Sequence, residues 1–307
     1  MTTSRWTPAL LPSLTGKTFV VTGGNAGLGY WAGEFLARRG ASVVIAARNR
    51  DRAHRAISSI HTRAPRADVR FTELDLADLG SVQTAAEALS NDPIDGLILN
   101  AGVLGQSKRS TTKDGFELMF GTNVLGHFAL TAQLAPTLLA TPGSRVVSLG
   151  SIAHRFFELD LDDLQSDDYS SFRTYARSKL AVMLLGFELD RRLQKAEHGT
   201  RSIVAHPGFA LDGLSAARPD IGSKRSPALV RTGLGAFAQG KDAGALPIVR
   251  AAADPLAQGG EYWGPDGWEQ LSGNPAVVYA RTRSRDIRTA SALWNIAETR
   301  TGTPFVI

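Results

Sequence analysis

The feature that most restricts this chain is an alternation. Short runs rich in Val, Ile and Leu are separated by stretches with helical spacing. "TFVVTG" (18–23), "ASVVIAAR" (41–48), "DVRFTELDL" (68–76), "IDGLILNAG" (94–102), "SRVVSLGS" (144–151) and "RSIVAHPG" (201–208) read as strands. "NAGLGYWAGEFLARRG", "NRDRAHRAISSIHTR", "SVQTAAEALS", a long segment around 115–140 and the segment carrying "TYARSKLAVMLLGFEL" (174–189) read as helices. Strands alternating with helices build right-handed βαβ crossovers and a parallel sheet. Runs this continuously apolar suit strands covered on both faces. The expected fold class is α/β, a doubly wound parallel sheet with helices on both faces. No repeat or linker-like stretch divides the chain, so residues 1–307 are expected to form a single domain.

Composition narrows the chemistry. There is no cysteine, which excludes disulfides, thiolate metal sites and a cysteine nucleophile. No metal site is expected. The net charge is +5, but basic residues are interspersed with acids and never interleaved with aromatics in a run, so no nucleic-acid partner is expected. The positive balance suits an anionic cofactor. The amino-terminal stretch "MTTSRWTPALLPSLTG" lacks a continuous apolar core and is not expected to be a signal peptide. No uninterrupted apolar run reaches the roughly 18 residues of a transmembrane helix. The expected location is cytoplasmic.

Several motifs carry chemistry. "TGGNAGLG" (22–29) joins the first strand to the first helix, with Gly23, Gly27 and Gly29 spaced G-x-x-x-G-x-G. Glycines there permit a sharp turn and let backbone N–H groups approach a pyrophosphate at the helix N-terminus. Roughly 20 residues further on, an NAD site carries an acid for the ribose 2′-hydroxyl. Here the strand ends in "AARNR", with Arg48 in that place. A guanidinium can pair with a 2′-phosphate in two-pronged fashion. A solvated loop arginine is the plainer alternative. Tyr175 precedes Lys179 by one helical turn, so both project from one face. On its own that spacing also fits side chains that merely cover apolar surface.

Taken together, these pieces resemble the short-chain dehydrogenase/reductase family. The resemblance is carried by "TGGNAGLG", "LDLAD", "LNAG", "GTNVLGHF", "VVSLGSIAH", "YARSK" and "HPG", in order over residues 18–208. The long connection "AHRFFELDLDDLQSDDYSSFRTYARSKLA" and the ending "GGEYWGPDGWEQLSGNP" are similar to bacterial relatives of the retinol-dehydrogenase-like branch. The resemblance implies a Rossmann-type fold and a nicotinamide dinucleotide cofactor, and Arg48 in place of an acid makes NADP(H) the expected one. It implies a catalytic set of Asn123, Ser151, Tyr175 and Lys179. Ser151 would fix the substrate oxygen, and Tyr175 would act as acid or base. Lys179 would favour the phenolate by its charge and hold the nicotinamide ribose. Asn123 would support a water linking Lys179 to solvent. Cofactor contacts are implied at Gly23, Asn25, Ala26, Gly27, Leu28, Gly29, Arg48, Asp75, Leu76, Asn100, Ala101, Gly102, Tyr175, Lys179, Pro207 and Gly208. His154 and His206 are read as structural neighbours of the site.

The family places a Thr four residues after the glycine of "PG"; here Asp212 stands there, which an anionic cofactor would repel. Residues 16–208 are expected to form the dinucleotide-binding and catalytic core, and 246–307 its carboxyl-terminal part. Residues 209–245, rich in Gly, Ala and Ser, are expected to form a substrate loop. Phe209, Leu211, Leu214, Leu229, Leu234 and Phe237, punctuated by glycines, suit a cover over an apolar substrate. A plain surface insertion is the other reading. The expected reaction is carbonyl–alcohol interconversion on a fairly apolar small molecule. Double-bond reduction of the protochlorophyllide-reductase type and a cofactor-sensing regulatory role are the alternatives. The first is disfavoured by the missing cysteine, the second by the retained Tyr and Lys. The resemblance implies a homodimer or homotetramer assembled through the helices around 115–140 and 175–193.

Overall fold

The computed structural model describes residues 6–104, 107–218, 221 and 237–307. The alternation read from the sequence is realised as β1 (Thr18–Thr22), α1 (Gly27–Ala37), β2 (Ser42–Ala47), α2 (Arg50–His61), β3 (Val69–Glu73), α3 (Leu79–Leu89) and β4 (Gly96–Leu99). A helical turn, α4 (Leu118–Phe120), passes through a π-helical turn at Gly121–Leu125 into α5 (Gly126–Ala140). Then follow β5 (Arg145–Leu149), α6 (Ser171–Lys195), β6 (Arg201–Ala205), β7 (Ala210–Leu211), β8 (Gln239–Gly240), α7 (Lys241–Gly244), α8 (Leu246–Ala253), β9 (Tyr262–Pro265), β10 (Pro275–Val277) and α9 (Ile287–Thr301).

The main sheet runs β3-β2-β1-β4-β5-β6-β9-β10, all parallel except β10. The sheet order reverses between β1 and β4, and such a reversal is where open α/β sheets bind ligands. The six expected strands are present. β9 and β10 lie in the stretch "EYWGPDGWEQLSGNPAVV", whose glycines and prolines hide a strand signal. Adjacent residues of the central strands feed opposite cores, as the two-residue period of a strand requires. Val20, Val44, Leu97 and Leu99 pack with α3, α5, α6 and α9, whereas Val21, Val43, Ile45 and Ile98 pack with α1, α2 and α8. Each fully buried Val, Leu or Ile side chain contributes about 1.5–3 kcal/mol.

Two details position the site. The helix expected around 115–140 is interrupted by the π turn, which carries Asn123 inward. The long connection 152–173 is tied down by Arg177, which donates to the Glu158 carbonyl (3.2 Å) and to Asp163 (3.3 Å). On the outer side, α9 packs across α5 and α6. Trp294 meets Phe128 edge-on at 5.0 Å, and Arg192 stacks on it at 4.4 Å. The face expected to carry assembly is therefore partly covered by the chain itself. Of the expected substrate loop, residues 219, 220 and 222–236, which include Leu229 and Leu234, lie outside the described residues. Its described flanks pair as the parallel ribbon β7–β8. No helix among the described residues is long and apolar enough to cross a membrane.

Candidate active site

A cleft of about 690 Å³ opens at the carboxyl ends of the central strands. It is walled by the turn after β1, the end of β2, the segment after β3, the loop after β4 and one face of α6. The first turn can form because Gly23 and Gly27 adopt φ of +66° and +57°, a region costly for residues with a β-carbon. Gly29 serves packing instead: a β-carbon there would lie 2.7 Å from the Gly23 carbonyl and collide with the Asn100 side chain. Ala26 stands at the N-cap of α1 and offers no side-chain bond, so the first N–H groups of that helix face the cleft uncapped. The neighbouring helices α2 and α3 are capped by Asn49 and Asp78. Uncapped N–H groups and the helix dipole together make an anion site. This cradle fits a dinucleotide pyrophosphate.

The turn after β4 is bound to the first turn. Asn100 Nδ2 donates to the Thr22 carbonyl (2.8 Å), and the N–H groups of Asn100 and Ala101 donate to Thr22 Oγ1 (2.9 Å each). Asp75 and Leu76 line the cleft. The Asp75 carboxylate accepts from the Ala77 N–H (3.0 Å), which holds the turn after β3. At the end of β2, Arg48 lies in the cleft wall, exposed. Arg52, one turn into α2, lines the same wall beside Asn49. Neither Arg48 nor Arg52 forms an ion pair among the described residues, whereas Arg50 pairs with Glu73 at 3.6 Å. Two uncommitted guanidiniums thus border the place where a 2′-phosphate would lie.

On the opposite side, α6 presents Tyr175 and Lys179 one turn apart in the cleft wall. Ser151, at the end of β5, hydrogen-bonds the Tyr175 phenol. Its own Oγ also accepts from the Ala153 N–H at 3.1 Å. Burial raises the phenol above its ordinary pKa, and the Ser151 bond lowers it in part. Lys179 is buried and held at about 8 by desolvation; its Nζ donates to the Leu149 carbonyl at 2.8 Å. Burial and the Ser151 bond act on the phenol here, while the Lys179 ammonium is turned to a strand carbonyl.

Asn123 is fully buried. Its Oδ1 accepts from Val103 N–H (2.8 Å), and its Nδ2 donates to the Val103 carbonyl (3.3 Å) and Ser178 Oγ (3.0 Å). Its side chain therefore joins the loop after β4 to the helix of Tyr175 and Lys179. A β-carbon at Gly102 would lie 3.2 Å from Asn123 Oδ1 and 3.7 Å from Lys179 Nζ, so all three converge. Gly29, Asn123, Ser151, Pro207 and Gly208 stand outside the cleft wall. Pro207 and Gly208 anchor its edge: the Pro207 carbonyl accepts from Gln239 (2.8 Å), and the Gly208 N–H donates to His206 Nδ1 (3.2 Å). His154 Nδ1 donates to the Ser151 carbonyl (2.6 Å), and its Nε2 accepts from the Arg281 N–H (3.3 Å). Both nitrogens are taken up by backbone.

Sequence reasoning missed Asn49, Arg52 and Lys241. Arg52 could have been found, since it follows Arg48 by one turn in "RNRDR". Lys241 carried no local signal. Its Nζ reaches Asp212 Oδ2 at 2.7 Å and lies 3.3 Å from where a Gly27 β-carbon would be. The troublesome Asp212 is thereby neutralised.

The short chain dehydrogenase family profile matches residues 17–218. Human retinol dehydrogenase 13 is 40% identical over 202 residues, covering 64% of this chain and 60% of that protein. The chain thus matches about three fifths of that relative's length. The short-chain dehydrogenase/reductase drtF of Aspergillus calidoustus is 33% identical over 312 residues, covering 95% of both chains. Among solved structures, an uncharacterized protein from Mycobacterium paratuberculosis superposes with a TM-score of 0.81 at 36% identity, over 99% of this chain and 100% of that one. The Pseudomonas aeruginosa RhlG/NADP active-site complex superposes at 0.61 and 25% identity, over 81% and 94%. The chain belongs to the short-chain dehydrogenase/reductase family of oxidoreductases, in its retinol-dehydrogenase-like branch.

Proposed function

We propose that the protein is an NADP(H)-dependent oxidoreductase that interconverts a carbonyl and an alcohol on a fairly apolar small molecule. The observation that carries the reading is the convergence of Tyr175, hydrogen-bonded to Ser151, and Lys179 on the cleft whose far wall holds the uncapped start of α1 and the free Arg48 and Arg52. In reduction, the Ser151 hydroxyl fixes the carbonyl oxygen and the Tyr175 hydroxyl delivers the proton. In oxidation, the Tyr175 phenolate removes it. Lys179 orients the cofactor ribose and, when charged, stabilises the phenolate. The nicotinamide, when bound, supplies or accepts the hydride. Asn123 fixes the spacing between the loop after β4 and α6, so that the two walls hold their positions.

The substrate class is supported by exposed aromatic side chains. Phe172 opens α6 just before Tyr175 and meets Phe156 at 5.6 Å and Phe157 at 6.0 Å. Trp268 packs on Phe237 at 5.0 Å, and the Arg155–Glu269 pair (2.8 Å) links the segment of Phe156 to that of Trp268. Phe156, Phe172, Phe237 and Trp268 are all exposed. Exposed aromatic clusters, with Phe156 five residues after Ser151 and Phe172 three before Tyr175, suit an apolar ligand. The test is a panel of apolar ketones, aldehydes and alcohols with NADPH or NADP, read by nicotinamide absorbance. Tyr175→Phe keeps the ring and removes the transferable proton. It should lose nearly all turnover while still binding NADPH, and a variant retaining a tenth of the wild-type rate would overturn the assignment.

A further inference from the structure

Lys241 occupies an unusual place. It opens α7, immediately after the ribbon in which Leu211 pairs with Gly240. That register sets Asp212 and Lys241 side by side, and the Ser215 hydroxyl accepts from the Lys241 N–H at 2.8 Å. α7 sits close on the start of α1, since a β-carbon at Gly244 would lie 3.1 Å from Leu28 Cδ2. The Lys241 side chain is thereby carried into the cleft wall, with Nζ directly over Gly27. It faces the same uncapped N–H groups that form the anion cradle.

The Asp212 partner is half exposed, at 49%, and Lys241 is 25% exposed. Ion pairs of this kind contribute at most about 1 kcal/mol. A pyrophosphate in the low-dielectric cradle is the stronger partner for an ammonium.

We propose that Lys241 is a phosphate-binding residue of the dinucleotide site, with Asp212 as the counter-ion it leaves when the cofactor enters. This deepens the cofactor reading above and rests on it. The pyrophosphate is common to NADP and NAD, so the effect is independent of the 2′-phosphate. Arg48 and Arg52 read the adenosine end, and Lys241 reads the middle of the molecule.

The test is binding, followed by fluorescence titration or calorimetry with NADPH, NADH and 2′-AMP, which has no pyrophosphate. Lys241→Met keeps the stem and removes the charge. It should weaken NADPH and NADH alike by about tenfold, with 2′-AMP affinity unchanged. Lys241→Arg should restore most of the loss. Asp212→Asn removes the competing partner and should leave dinucleotide affinity equal to or tighter than wild type. Thermal melts of each variant check that it folds. If Lys241→Met binds both dinucleotides as tightly as wild type, or Asp212→Asn weakens them in parallel with Lys241→Met, the pair is a structural clasp and the proposal falls. A wild type that prefers NADH would overturn the NADP reading and leave Lys241 standing. A folded wild type that binds neither dinucleotide would overturn both.

Discussion

Thr22 and His127 share a buried hydrogen bond of 2.9 Å between Oγ1 and Nε2. The other ring nitrogen, Nδ1, lies 3.0 Å from the Asn123 carbonyl. A carbonyl only accepts, so Nδ1 carries the proton and Nε2 accepts from the Thr22 hydroxyl. The same hydroxyl receives the N–H groups of Asn100 and Ala101. One neutral imidazole therefore links the turn after β1, the turn after β4 and the π turn of Asn123. Burial keeps it neutral by lowering its pKa to about 4, and the charge of Lys179 acts in the same direction.

His127→Leu and Thr22→Val should each destabilise the fold by about 1–3 kcal/mol, because each leaves a buried polar partner unsatisfied. The double variant should cost less than the sum, since both remove the same bond. Denaturant unfolding of the two singles and the double checks this. Strictly additive losses would show that the link is not formed.

Acid should unfold the protein through its buried histidines. Burial lowers His127 and His154 to about 4 and His206 to about 3, from an ordinary 6.5. With the folded values below the unfolded ones, the unfolded chain binds more protons in between. The stability they contribute is complete above about pH 6.5 and is lost as pH falls toward 3–4. Thermal melts from pH 8 to 4 should show Tm falling below pH 6.5. His206→Gln should flatten that slope, and a slope identical to wild type would contradict the assignment.

Arg218 makes a two-pronged contact with Glu34, at 2.6 and 2.8 Å, while stacking on Trp31 at 4.2 Å. Glu34 is fully buried on α1 and also accepts from the Tyr30 hydroxyl at 2.8 Å. Arg218→Ala would leave that carboxylate only the more distant, half-exposed Arg38 at 3.9 Å and should cost on the order of 3–5 kcal/mol. Glu34→Gln added to Arg218→Ala should recover much of the loss, because the amide carries no charge to desolvate. Calorimetric melting compares the three proteins, and no recovery in the double variant would refute the argument.

Cofactor choice should depend on both arginines of the cleft wall. Arg48→Ala and Arg52→Ala should each reduce the preference for NADPH over NADH by about tenfold or more, the value of a charge-assisted pair. The ratio of kcat/KM for the two cofactors reports it. NADH kinetics should stay near wild type in both variants, and equal loss with both cofactors would mean that the arginines do not read the 2′-phosphate.

The sequence by itself determined the layered α/β fold, because strand and helix periods are local properties of neighbouring residues. It also determined the glycine turn, Arg48, and the Tyr175–Lys179 pair. Those motifs depend on positions at most a few turns apart, which any chain that forms the element must reproduce. Only the tertiary structure decided what each group does with its hydrogen bonds. Lys179 turned to the Leu149 carbonyl, Asn123 took up Val103 and Ser178, and His127 became a neutral bridge. It also brought Lys241 over Gly27 and Arg218 onto Glu34. These pairings join residues far apart in the chain, and their energies depend on burial. Burial follows from which surfaces the packed sheet and helices close over, and no local pattern encodes that.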